Sequence, residues 1–211
     1  EEQSEVVELV CARSSWASSL LRAIERGGIS KSVITPYHAM QIQSLESEEL
    51  SARLEKVWGV LRRSPDELKR RMEELRRELT PSHLAKADLF KGRILYEKRC
   101  SSCHTLYGKG GKLGPDLTGS GRSNLDYLLQ NVVDPNGAVS TDYRMHVIET
   151  KNGRVLSGMI VGQDRNSVVL RMPGSESVIS KSMIQSRDAL PNSIMPMGLL
   201  DDLSERERRN L

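Results

Sequence analysis

The sequence predicts a mainly α-helical protein in two parts. A helical, solenoid-like segment covers residues 1–85, and a second helical domain covers 86–211 with a four-stranded β-meander inserted at about 142–185. Three observations carry this expectation. Apolar residues recur at helical spacing through most of the first 80 positions. After Tyr143 the period drops to two, with turn signals between the runs. Between these regions, at the end of a helical stretch, stands Cys100-Ser101-Ser102-Cys103-His104.

The N-terminal part reads as helices. From Val6 to about Arg26 the stripe is Leu9, Trp16, Leu20, Leu21 and Ile24, and Gly27-Gly28 ends it. Thr35-Pro36 opens the next helix with threonine as N-cap and proline at the first helical position. Ser47 before Glu48-Glu49 starts a segment carrying Leu50, Leu54, Val57, Trp58 and Leu61. Ser64-Pro65-Asp66-Glu67 has the form of a capping box, ahead of a helix striped by Leu68, Met72, Leu75 and Leu79. Its other faces are charged, and Thr80-Pro81 stops it. Short antiparallel helices of this kind suggest the end of an α-solenoid or a small bundle. His38 and His83 suit surface or capping roles, and Cys11 packs as a small hydrophobe. No catalytic constellation is visible here.

The second domain begins near Lys86. Ala87 to Arg99 is helical, and Gly92, Tyr96 and Cys100 lie four apart on one face. A small residue there permits a close helix crossing. C-x-x-C-H is the attachment sequence of c-type haem: two thiols add to the porphyrin vinyl groups and the histidine ligates the iron. A zinc half-site would want a second Cys or His pair, whereas Cys11 stands far upstream and alone. A redox dithiol would sit in a βαβ unit, and none is visible. Aromatic residues make up only 4% of the chain, with Phe90 the single phenylalanine, so a buried porphyrin would supply missing apolar mass. An iron-ligating histidine needs an acceptor for its second ring nitrogen. After the glycine-rich loop Gly108 to Gly114, the Pro115 carbonyl is the natural candidate.

Asn124 to Val133 forms another short helix, ended by Asp134-Pro135-Asn136-Gly137. The four strands of the meander are Tyr143–Thr150, Val155–Val161, Val168–Met172 and Ser177–Ile179, with Lys151-Asn152-Gly153-Arg154 as a hairpin signal. Ser204 caps a last helix. Before it, Met195-Pro196 sits in a tight loop that can present a thioether to the iron, and a His/Met pair raises the reduction potential. Met195 is the expected sixth ligand. Met197 is its close competitor, and His146 or a vacant position shares the remainder.

A net charge of +3 gives no argument for nucleic acid or a membrane surface. No apolar run is long enough to span a bilayer. The chain opens on Glu1, Glu2 and Glu5 rather than on a signal peptide. Haem attachment of this type normally takes place outside the cytoplasm, so the expectation is a periplasmic or otherwise exported protein whose signal lies further upstream. Both ends look cut, since the last helical pattern stops at Leu211.

At Gly92, Tyr96, Cys100, Cys103, His104, Gly114-Pro115-Asp116-Leu117 and Met195-Pro196 the chain resembles a monohaem c-type cytochrome of the His/Met class. With Gly114 to Gly119, Asp134-Pro135, Gly153 to Gly158 and Ser193 to Leu200, it resembles the planctomycete-type haem-binding domain over roughly Lys86 to Leu211. That resemblance implies a cytochrome c-like fold and one covalent haem c with its iron. It implies His104 and Met195 as metal ligands, with Cys100, Cys103, Tyr96 and Pro115 in the cofactor site. In that family the domain often follows helical repeats and a propeller-type dehydrogenase domain in one long polypeptide. The implied role is electron transfer rather than catalysis, from a dehydrogenase to another cytochrome or a terminal oxidase. Lys98, Arg99, Lys109 and Lys112 could steer an acidic partner. The alternative is a gas-binding or sensing haem with a labile or vacant sixth position; a peroxidase would need distal acid/base residues, and none is identifiable. Two features depart from the pattern. Met197 stands where the family often has an acidic residue, and the truncated last helix leaves the usual contact between first and last helices open.

Overall fold

The structure is a computed structural model that describes residues 2–119 and 121–211, with the backbone alone for 2–5. Glu1, one of the acidic residues at the start, lies outside the described residues. In chain order the elements are α1 (Glu2–Cys11), α2 (Ser14–Glu25), α3 (Pro36–Gln43), α4 (Glu48–Val57), β1 (Gly59–Leu61), α5 (Asp66–Glu78), α6 (Pro81–Leu84), α7 (Leu89–Arg99), β2 (Thr105–Leu106), β3 (Lys109–Gly110), α8 (Leu125–Val133), β4 (Ala138–Ser140), β5 (Arg144–Thr150), β6 (Val155–Gln163), β7 (Ser167–Met172), β8 (Ser175–Ser180), β9 (Ile184–Ser193) and α9 (Glu205–Asn210). They form two compact units, Glu1–Arg63 with Asn136–Thr141, and Ser64–Pro135 with Asp142–Leu211.

The first unit is built on α1 to α4. Its core holds Cys11, Ala17, Leu21, Ala39, Ile42, Leu54 and Trp58, each at most 1% exposed. Burial of Trp58 strands its indole N–H unless it finds a partner. It donates to the Ile34 carbonyl at 2.7 Å. His38 is likewise buried, and reciprocates the Thr35 cap: Thr35 N–H donates to its Nδ1 at 3.3 Å. The unit is not purely helical. β1 pairs antiparallel with β4, Gly59 opposite Ser140, about eighty residues further along the chain.

The second unit contains α5 to α9 and the remaining strands. Met72 and Leu75 of α5, with Leu79 at its C-terminal cap, pack on Leu129 and Val133 of α8. The capping box expected at Ser64 does not form: α5 has no side-chain cap, and the Ser64 hydroxyl accepts from Gln130 Nε2 at 3.0 Å instead. α9 is fixed by the half-turn of contacts around it. Arg208 makes two bonds to the Glu78 carboxylate, at 2.9 and 2.8 Å, with both side chains largely shielded from solvent. Asp88 N–H donates to Asn210 Oδ1 at 3.0 Å. A Cβ at Gly92 would lie 1.9 Å from the Asn210 carbonyl oxygen, so α7 and α9 cross where only glycine fits.

The expected four-stranded meander in a mainly α fold is wrong. The inserted sheet has five antiparallel strands in the order β8-β7-β6-β5-β9. Strand makes up 23% of the chain, the share found in ordinary mixed proteins, so the class is mixed rather than mainly α. The strand missed is β9. Its residues are mostly exposed and include Pro191, which gives neither apolar alternation nor a ladder donor. It survives because it is an edge strand lying against β5, with Val147 opposite Asp188 and Ile148 opposite Arg187. Ile148, Val168, Leu170 and Ile179 form the small core of this sheet.

Candidate haem site

α7 delivers the pentapeptide. Asp88 caps it by accepting Lys91 N–H at 3.1 Å. The chain then folds back on itself at once: Cys103 N–H and His104 N–H both donate to the Cys100 carbonyl, at 3.1 and 2.9 Å. Tyr96 Oη donates to the His104 carbonyl at 3.0 Å, a bond that spacing alone did not suggest for this aromatic. Cys100 and Cys103 are free thiols, both half-buried, and burial pushes the Cys100 thiol above its ordinary value.

The loop after His104 is pinned by its backbone. β2 and β3 form a minimal hairpin through Tyr107 and Gly108, both at positive φ, the signature of a primed turn. Tyr107 is exposed and carries the Arg122 guanidinium 4.7 Å from its ring centroid. Gly111 N–H donates to the Ser101 carbonyl and Gly114 N–H to the Cys103 carbonyl, each at 2.7 Å. A Cβ at Gly114 would fall 2.5–2.8 Å from three atoms of the His104 ring, so glycine lets the loop lie against the imidazole. His104 Nδ1 is 2.9 Å from the Pro115 carbonyl oxygen. A carbonyl can only accept, so Nδ1 carries the proton and Nε2 keeps its lone pair for a metal. Two half-buried thiols three residues apart beside an imidazole held in this tautomer fit a covalent haem. Among the described residues no group of three or more His, Cys, Asp or Glu converges as a metal cluster.

Tyr96, Cys100, Cys103, His104 and Pro115 are thus brought together. Met195 is placed in the loop after β9, half-buried, its N–H donating to Ser193 Oγ at 3.1 Å. Among the described residues no hydrogen bond joins it to the pentapeptide. Met197 is 51% exposed. His146 lies on β5, opposite Ala189 and Gly158, and its Nδ1 is buried without a hydrogen bond. Burial, then the nearby Arg187 and Arg144, hold its pKa below the ordinary value. Of the four basic residues flanking the motif, Arg99 is committed to Asp202 through two 2.6 Å bonds, while Lys98, Lys109 and Lys112 are exposed.

Residues 90–153 match the family model described as Cytochrome c. The match spans Tyr96, both cysteines, His104 and Pro115, and ends before Met195. It supports a c-type cytochrome and an electron-carrier role. A cytochrome c domain implies covalently bound haem c with its iron, and such domains are typically exported. No curated protein matches the chain. No described helix is long and apolar enough to cross a membrane.

Proposed function

We propose that residues 86–211 form an electron-transfer module with one covalent haem c ligated by His104 and Met195. Its donor is an attached or associated dehydrogenase, its acceptor another cytochrome or an oxidase, and its location the periplasm. When bound, haem c supplies a one-electron Fe(III)/Fe(II) couple. The chain's own residues do the rest. Cys100 and Cys103 hold the porphyrin by thioethers, which do not dissociate. Pro115 fixes the imidazole tautomer and keeps it basic. Tyr96 holds the His104 backbone from α7. Met195 is the better-shielded of the two loop methionines and offers a soft neutral donor. The observation that carries this reading is the 2.9 Å bond from His104 to Pro115 directly beside two available thiols.

The test is a visible spectrum of protein matured in a haem-attaching periplasm. The expected result is a low-spin spectrum whose colour survives acid–acetone extraction, with a methionine–iron charge-transfer band in the oxidised form that Met195→Ala abolishes. Retention of the band in Met195→Ala assigns the ligand to Met197. A colourless, free-thiol product refutes the module altogether.

A further inference from the structure

Arg171 links the inserted sheet to the loop after His104. Arg171, on β7 opposite Met159 and Glu176, donates from Nη1 to the Lys112 carbonyl at 2.9 Å and from Nε to Glu176 Oε1 at 2.6 Å. Lys112 lies between Gly111 and Gly114, the two residues whose N–H groups bind Ser101 and Cys103, and three before Pro115. Leu113, between them, is buried. The loop therefore grips the pentapeptide on one side and is gripped by a charged donor on the other. Bonds from a guanidinium are shorter and about twice as strong as neutral ones, and Glu176 prevents this one from swinging free.

We propose that Arg171 is a positioning residue for the axial histidine: it anchors the 111–115 loop so that the Pro115 carbonyl stays on His104 Nδ1. This gives the sheet a role in setting the reduction potential. It rests on the reading of His104 as an iron ligand. A firm Nδ1–H···O=C bond makes the imidazole a stronger donor, which favours Fe(III). Loosening the loop weakens that bond, so the potential rises. Simple loss of a positive charge near the haem has the opposite sign, and this separates the two effects.

The experiment uses the haem-loaded chain with the double substitution Arg171→Met/Glu176→Gln, which removes the clamp at constant net charge. The midpoint potential is read by spectroelectrochemistry, and exchange of the His104 Nδ1 proton by NMR of the reduced form. The expected result is a higher potential with at least tenfold faster exchange, and Arg171→Lys, which keeps a donor and the charge, falling back toward wild type in both. Wild-type values for both readouts in the double variant, or a lowered potential, overturn the proposal. If the double variant does not mature, Glu176→Gln alone is read by the exchange of the His104 Nδ1 proton, which loss of a distant charge does not mimic; faster exchange by a smaller factor is expected, and an unchanged rate overturns the proposal. Failure of the underlying reading looks different: the wild-type protein itself then lacks a histidine-ligated covalent haem.

Discussion

Gly92→Ala sets two effects of opposite sign against each other. Gly92 lies inside α7, where alanine is favoured over glycine by about 1 kcal/mol on helix propensity alone. The new Cβ, however, would lie 1.9 Å from the Asn210 carbonyl oxygen, roughly 1.5 Å short of ordinary contact. The neighbour is backbone, so relief requires α9 as a whole to move. α9 is tied by Arg208 to Glu78, by Asn210 to Asp88 and, through the preceding loop, by Asp202 to Arg99. Overpacking of this kind costs about 1–3 kcal/mol, and stretching the Asn210 bond costs about 1 kcal/mol more. The net expectation is a loss of about 1–3 kcal/mol, or a fall in Tm of roughly 2–12 °C for a chain of this length. Denaturant titration of the holoprotein, followed by far-UV circular dichroism and by haem absorbance, measures it. In a chain lacking residues 204–211 the obstacle is gone, and the same substitution should stabilise by about 1 kcal/mol. Equal or greater stability of Gly92→Ala in the full chain would refute the close crossing.

Two further outcomes concern the first unit. His38 is held below its ordinary pKa chiefly by burial, so the unfolded chain binds its proton at higher pH than the folded one. Its contribution is complete above the unfolded value of about 6.5 and falls away as pH drops below it toward the depressed folded value. Denaturant midpoints measured from pH 8 to 5 should therefore decline, and His38→Gln, which can still accept from Thr35 N–H, should flatten the decline. Trp58→Phe removes the donor to the Ile34 carbonyl in a site 1% exposed and should cost about 1–3 kcal/mol, with the visible haem spectrum unchanged.

What could be read from the sequence follows the range of the contacts involved. The surroundings of the pentapeptide are local: Tyr96 reaches His104 eight residues on, and His104 reaches Pro115 eleven residues on. The carbonyl expected after C-x-x-C-H, that of Pro115, is the one that lies 2.9 Å from His104 Nδ1. Caps were also legible where they act within one turn, at Thr35, Ser47 and Ser204. Ser64 carried the same local signal, but a tertiary partner, Gln130, took its hydroxyl. The failures are long-range. The pairing of β1 with β4 involves three residues a side with no pattern of their own. β9 is polar because water covers it, and an exposed edge strand needs no alternation to pair. The apolar stripe of α5 announced a buried face, yet it could not announce that α8 would cover it. Met195 is a different kind of inference, since a thioether makes no strong hydrogen bond that would mark it among protein atoms.

The segment between His104 and Met195 contains an excursion whose two ends lie side by side in the sheet. β5 and β9 are neighbours, and the first residue of β5, Arg144, stands opposite Ser193, the last of β9. Paired antiparallel residues lie about 5 Å apart. The chain thus enters and leaves the fifty-residue excursion at almost the same point, as it would on either side of a tight turn. An insertion with adjacent ends disturbs its flanks little and adds only a slowly growing closure entropy. Met195 lies two residues beyond Ser193, and its N–H donates to the Ser193 hydroxyl. The adjacent ends account for the sheet's attachment at its own base, and its contact with the loop after His104 is a separate feature. Arg171 on the Lys112 carbonyl is such a contact, and it falls on the loop of the histidine rather than that of the methionine.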